Sequence, residues 1–385
     1  MSASSGDRLS TTQRMRTPVG TASGRSTLHT VLLATLVGAI VLFGGITIGL
    51  QIAGLLVGRA GGGAAPISND GHDHGAGGAD AHMRPVDVSG KPSAPVFARG
   101  NQELASRDVG GVREFRLTAS IVRWSILPTV PVGAYAFNQM VPGPLLKVKP
   151  GERIRVLVTN ELPEPTSVHW HGLQIPNDQD GAAMITQPPI QPGETYTYEW
   201  TVPDTPGTYW YHSHFEPDRQ QSLGLYGGLI IEDPAERKPD HDATLILGEW
   251  TVTAAGNVPS MPMAGMEPNY FTINGKAWPE TETLNVKVGQ RVRLRFVNAG
   301  QFVHPMHLHG QPFTLVATDG NPLPESARWI KDTVLVGPGE RYDVEFIARA
   351  PGMWLVHCHI AHHTMNDNVE VDGGGGLMLV VNVTS

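Results

Sequence analysis

The sequence predicts an all-β protein, two copies of one β-sandwich, preceded by an N-terminal transmembrane helix and a flexible linker. Three observations carry this reading. Short alternating runs such as "RIRVLVTN" and "RVRLRFVN" are broken by Pro-Gly and Asn-Gly turn signals at sandwich-like spacing. The segment "LKVKPGERIRVLVTNELPEPTSVHWHG" (146–172) is echoed by "LNVKVGQRVRLRFVNAGQFVHPMHLHG" (284–310), and "PGETYTYEWTVPDTPGTYWYHSH" (192–214) by "PGERYDVEFIARAPGMWLVHCH" (338–359). Repetition on this scale means one supersecondary unit used twice. Finally, residues 31–57 contain no charged side chain.

Taken in order, residues 1–30 form a cytoplasmic segment and 31–57 the transmembrane anchor. The uncharged stretch exceeds the about 20 residues that span a bilayer core and the apolar region of a cleaved signal peptide. Arg8, Arg14, Arg16 and Arg25 precede it while only Arg59 closely follows, so the positive-inside rule leaves everything after residue 58 outside the cytoplasm of a single-pass protein of the cell membrane. Residues 58–104 are a Gly/Ala/His-rich linker, expected to be mobile because such a composition buries too little apolar surface to offset its ordering entropy. Residues 105–236 form the first sandwich and 237–385 the second; Pro234 and Pro239 interrupt the strand pattern between them.

A net charge of −8 leaves no basic stripe to neutralise phosphates, which argues against a nucleic-acid binder. The count of 16 histidines in 385 residues is the compositional anomaly. Each sandwich carries two His-x-His pairs: His169/His171 and His212/His214 in the first, His307/His309 and His357/His359 in the second. On a strand, residues i and i+2 share a face, so each pair offers two imidazoles to one side. Eight imidazoles at matching repeat positions exceed the needs of one metal ion and point to a cluster.

The single cysteine, Cys358, lies between His357 and His359 in "LVHCHIAHH". Alternation turns it away from its two neighbours, so three residues join two metal centres covalently. On its own side the sequence offers His304 and His363, and a His₂Cys set with a weak axial ligand is the pattern of a blue-copper electron-transfer site. The first repeat is an internal control: Ser213 stands at the position of Cys358, and by the same offsets Thr166 at that of His304 and Asp218 at that of His363. Only the second sandwich is therefore expected to hold blue copper, whereas both must contribute to the cluster.

With "HWHG", "WYHSH", "HPMHLHG" and "HCHIAHH" in order over about residues 110–385, the chain resembles the multicopper oxidases, the laccase-like group. The resemblance implies two cupredoxin-like Greek-key domains and four coppers per complete set of sites: one type 1, one type 2 and two type 3. It makes His169 and His307 the type 2 ligands, and His171, His212, His214, His309, His357 and His359 the type 3 ligands. His304, Cys358 and His363 become the type 1 ligands. The family spacing puts the axial residue at Asn368, but "TMNDNVEVDGGGG" (364–376) reads as an insertion. Counting back from "LMLVVNV" makes Leu377 the axial, non-ligating residue, with Met365 and Met378 as competitors.

The same resemblance implies one-electron oxidation of a phenol, an aromatic amine or a metal ion such as Cu(I), coupled to reduction of dioxygen to water. It gives Asp180 a proton-relay role near the type 2 copper. Having two domains and no spacer, the chain is expected to form a homotrimer that shares each cluster between subunits. A copper nitrite reductase needs fewer histidines and puts its type 1 cysteine in the first domain; a copper-binding electron shuttle would leave eight histidines unexplained. Two minor copper-binding candidates are the linker residues His72, His74 and His82, and the thioethers of Met261, Met263 and Met266.

Overall fold

The computed structural model describes residues 84–263 and 265–385. The segment 31–57 and His72, His74 and His82 lie outside the described residues. Among the described residues, no helix is long and apolar enough to cross a membrane.

The first sandwich comprises β1 (Arg107–Val109), β2 (Val112–Leu127), β3 (Val130–Phe137), β4 (Gly143–Val148), β5 (Arg153–Asn160), β6 (His169–His171), β7 (Thr195–Thr201), β8 (Gly207–His212) and β9 (Tyr226–Ile231). One sheet has the order β1-β2-β5-β7 with β3 added on β2, the other β4-β9-β8-β6. The second sandwich begins with β10 (His241–Thr253), β11 (Gly256–Val258), β12 (Tyr270–Ile273), β13 (Leu284–Lys287), β14 (Arg291–Asn298) and β15 (His304–Leu308). It continues through β16 (Phe313–Thr318), β17 (Asn321–Pro322), β18 (Trp329–Lys331), β19 (Thr333–Val336), β20 (Arg341–Ile347), β21 (Gly352–Cys358) and β22 (Met378–Thr384).

The repeat in sequence is a repeat in pairing. Parallel β2·β5 and β4·β9 in the first sandwich correspond to parallel β10·β14 and β13·β22 in the second. Antiparallel β6·β8 and β8·β9 correspond to β15·β21 and β21·β22. The runs "RIRVLVTN" and "RVRLRFVN" are β5 and β14. In β5 every second residue is buried, so Ile154, Val156 and Val158 enter the first core while the intervening residues face out. In β14 both faces are covered. Val292, Leu294 and Phe296 fill the second core, and on the opposite face Arg293 pairs with Glu236 and Glu345, and Arg295 with Asp242 and Asp343.

A third core joins the sandwiches. Trp124, Ile126, Val141, Trp210 and Tyr226 from the first meet Ile246, Trp250 and Val297 from the second. Full burial of one large apolar side chain contributes about 1.5–3 kcal/mol, so three tryptophans here suffice to fix the relative placement. Polar bonds add direction: Trp124 Nε1–H donates to Gly275 O at 2.7 Å, and Thr208 Oγ1–H to Asp343 Oδ1 at 2.7 Å.

Residues 84–104 depart from the expected mobile linker. Ala94 N–H donates to Arg123 O at 3.0 Å and Leu104 N–H to Leu145 O at 2.9 Å, while Val86 is buried in the first core. Val88 and Leu104 pack on the first core and Ala94 and Ala98 on the third, so this stretch does have an apolar face to bury. Averaging its composition with the Gly-rich residues before it hides that face.

Candidate metal centres

The two antiparallel pairs β6·β8 and β15·β21 present the histidines. Register sets His169 opposite His212 and His307 opposite His357. In the first sandwich, ligand atoms of His169, His171 and His212 lie within 4.8 Å of one another, and the His214 ring centroid is 5.5 Å from that of His169. In the second, the His307 centroid lies 5.1 Å from His309 and 5.7 Å from both His357 and His359. All eight predicted cluster histidines are thus gathered into two groups of four.

The groups repeat each other's hydrogen bonds. His169 Nδ1 is 2.8 Å from Asp180 O, and His307 Nδ1 is 2.8 Å from Asp332 O. His212 Nδ1 meets Ser213 O at 2.9 Å, and His357 Nδ1 meets Cys358 O at 2.8 Å. A carbonyl only accepts, so each of these four rings carries its proton on Nδ1 and leaves the Nε2 lone pair free for a metal. Burial, with the Arg341 guanidinium next in weight, pushes His171 down to about 3. Burial likewise holds His212 well below the ordinary histidine range and lowers His309 and His357. Neutral imidazole is the ligating form.

Asp180 lies beside His169, as the resemblance implies, and adds a contact not anticipated from sequence: its carbonyl orients His169, and its Oδ1 stands 3.5 Å from the same ring nitrogen. Gly181 makes this possible. Its φ is +82°, and a Cβ there would lie 1.7 Å from Val168 O. The matching carbonyl of Asp332 was missed because it lies 25 residues beyond His307, against 11 for Asp180 and His169. No fixed offset links the two.

The third group faces the other way from strand β21. Cys358 Sγ is 3.5 Å from His363 Nδ1 and 4.0 Å from His304 Nδ1, and those nitrogens are 3.0 Å apart. All three residues are buried. Phe271 stacks on His363 with centroids 4.1 Å apart, and Phe302 meets it edge-on. Burial pushes the Cys358 thiol up to about 12 and His363 down to about 3. Two imidazoles and a soft sulfur converge on one point.

Residues 119–236 match one multicopper oxidase family domain and residues 252–370 a second. The chain belongs to the multicopper oxidase family. The crystal structure of a blue copper oxidase from Nitrosomonas europaea is 35% identical with a TM-score of 0.65, covering 71% of this chain and 86% of that one. Multicopper oxidase MmcO of Mycobacterium tuberculosis is 35% identical over 249 residues, 55% of this chain and 47% of that protein. Laccase-3 of Thanatephorus cucumeris is 39% identical over 213 residues, 48% of this chain and 36% of that protein. The chain thus spans half or less of the length of these last two relatives.

For this family member, strand register separates the competing axial residues. His357 pairs with Met378, and Cys358 N–H donates to Leu377 O at 3.0 Å. Opposed residues share a face, so Leu377 lies on the side of Cys358 and Met378 on the side of His357. Leu377 is fully buried in the second core together with Cys358, whereas Met365 is half-buried on the 364–376 segment.

One offset needs correction. The counterpart of His363 in the first sandwich is Gln220, not Asp218. Thr166 Oγ1–H and Ser213 Oγ–H both donate to Gln220 Oε1, at 2.8 and 2.7 Å, and all three residues are fully buried. The short helix Pro217–Gln220 intervenes here, and its period moves the inward-facing residue by two positions. As for the methionines, Met261, Met263 and Met266 form a tight backbone-bonded turn. Met266 is buried and Met263 exposed, so the three do not present one common surface.

Proposed function

We propose that this chain is a copper-dependent oxidase that couples one-electron oxidation of a small reductant to four-electron reduction of dioxygen to water. The observation that carries this is the back-to-back arrangement on strand β21, with Cys358 turned to His304 and His363, and His357 and His359 turned to the histidine group. The donor set suits copper: soft thiolate with imidazoles on one side, imidazoles alone on the other. His304, Cys358 and His363 would hold type 1 copper, with Leu377 buried beside Cys358. His169 and His307 would hold type 2 copper, and His171, His212, His214, His309, His357 and His359 the type 3 pair. Copper bound there supplies one-electron exchange with the reductant and multi-electron chemistry with oxygen.

The chain's own residues do the rest. Cys358 and its flanking backbone form a covalent connection of one residue between the two sites. Phe271 and Phe302 cover His363 and exclude water from it. Asp180 orients His169 through its carbonyl, and its half-exposed carboxylate, with Oδ1 3.5 Å from the same ring, would relay protons to the cluster. The reductant is a phenol, an aromatic amine or a metal ion such as Cu(I). Oxygen uptake by the copper-loaded protein, with a phenol and with Cu(I) as donors, tests the reading; no uptake with any donor in a fully loaded protein defeats it.

The assembly belongs to the same proposal: a homotrimer in which each cluster lies between subunits. Its support is the separation of the two half-sites within one chain. His171 lies against Gly339, just past the Val336 end of β19, whereas His307 pairs with Thr333 at the opposite end of that strand. Each half-site also has exposed apolar neighbours, Met184 and Ile185 near Asp180, and Trp329 and Ile330 just before Asp332. Contiguous exposed apolar side chains mark association surfaces. The anchor at 31–57 would hold this trimer outside the cytoplasm, so protease added to intact cells should remove the oxidase domains; full protection defeats that orientation.

A further inference from the structure

Glu249 stands in the middle of β10, buried, on the far side of His304 from Cys358. Its Oε1 lies 3.0 Å from His304 Nε2 and accepts the Phe302 N–H at 2.9 Å, while Oε2 accepts the Gln301 N–H at 3.0 Å. The loop closes on the carboxylate so tightly that a Cβ at Gly300 would fall 2.4 Å from Oε1. Among the described residues, His304 is the one ionisable side chain within ion-pair distance of the Glu249 carboxylate. A carboxylate taken out of water is costly unless hydrogen bonds or a charge compensate it. Two backbone amides supply part of that compensation and the imidazole the remainder.

We infer that Glu249 is a positioning residue: it keeps His304 as the Nε2–H tautomer, aims the Nδ1 lone pair at Cys358 and His363, and favours the oxidised over the reduced metal there. The inference rests on the type 1 assignment of His304, Cys358 and His363. Its reasoning is electrostatic and geometric. A carboxylate accepts, so the proton of the ring must sit on Nε2, which leaves Nδ1 as a donor to the metal. A fixed negative charge one imidazole away from a metal stabilises the state with the greater positive charge. Burial of both partners removes the screening that would weaken this effect at a surface.

The first test uses the unaltered, metal-free protein, in which ¹⁵N chemical shifts report the tautomer of His304. An Nε2–H tautomer with a slowly exchanging proton is expected; an Nδ1–H tautomer or rapid averaging overturns the inference. The second test is Glu249→Gln, which removes the charge and keeps the shape. The variant should retain its blue band, show a raised type 1 reduction potential, and bind copper at that site about 10–100-fold more weakly in chelator competition. An unchanged potential with the blue band intact overturns the inference. Should Glu249→Gln not fold, the tautomer measurement decides alone. Failure of the underlying assignment is distinguishable: a fully copper-loaded wild type without a blue band sinks the type 1 reading, whereas the tautomer needs no copper to be read.

Discussion

The two sandwiches place three side chains at the same point of the same strand framework and do different things with them. In the first, Thr166, Ser213 and Gln220 form a closed set: two hydroxyls donate to one amide oxygen, and the amide nitrogen donates to Glu164 Oε1 and Pro165 O. Nothing is left over for a ligand. In the second, His304, Cys358 and His363 meet there, and His304 directs its Nε2–H outward to Glu249. Its Nδ1 then has no proton to give to His363 Nδ1, 3.0 Å away. The framework is indifferent to which set it holds. A metal site results where inward lone pairs outnumber the protons available to satisfy them.

The most damaging way to break the contrast is to make the second pocket resemble the first. Cys358→Ser replaces the soft ligand with the residue found at Ser213. Blue absorption and oxygen uptake should fall to background, while thermal unfolding of the metal-free protein shifts little, because a buried serine has close to the same volume. Retained blue colour in this variant would sink the type 1 assignment.

The next comparison concerns how the two histidine groups come together. His169→Ala/His171→Ala and His307→Ala/His309→Ala should each be inactive alone. Co-assembled in equal amounts they should recover activity, since about one quarter of heterologous contacts would join two intact halves. Verified mixed oligomers without any recovery, or an active monomer, would show that the cluster is not shared between chains.

How far the sequence carries this contrast depends on the local period. Where strands alternate, faces are legible: the four His-x-His pairs, the reversal of Cys358, and the cores of β5 and β14 all follow from a period of two. Where another period intrudes, counting fails. The short helix Pro217–Gln220 displaces Gln220 from the offset that points to Asp218. Partners brought in by distant strands leave no trace at all. Glu249 lies 55 residues from His304, on β10 two residues beyond Leu247, the last to pair with β14, and opposite Phe271 of β12. Likewise, the choice among Leu377, Met365 and Met378 waits for the β21·β22 register, because the 364–376 insertion destroys the count.

A subtler test works on the first sandwich. Gln220→Leu leaves the Thr166 and Ser213 hydroxyls buried, with their shared acceptor gone and Ser213 keeping its longer bond to Phe215 O at 3.1 Å. Each buried polar group without a partner costs about 1–3 kcal/mol. Denaturant unfolding should therefore show a loss of about 2–4 kcal/mol, with the blue band unchanged because the two pockets are separate. A shifted blue band would mean that the pockets communicate; an unchanged stability would mean that the trio is not a closed set.

The smallest expected effect sharpens the chemistry of the second pocket. Leu377 is fully buried on the face of Cys358, so Leu377→Met brings a thioether to the side where an axial ligand would stand. Leucine and methionine are close in volume, and such swaps cost below about 1.5 kcal/mol, so the fold should be unaffected. A weak sulfur ligand stabilises the oxidised metal, so the type 1 reduction potential should fall and oxidation of a phenol should slow by less than about tenfold. Met378→Leu is the control from the adjacent residue. Because Met378 pairs with His357 and faces the other side, its removal should leave the potential where it was. A potential that responds to Met378→Leu and not to Leu377→Met would reverse the two residues' places and, with them, the face of β21 from which Cys358 works.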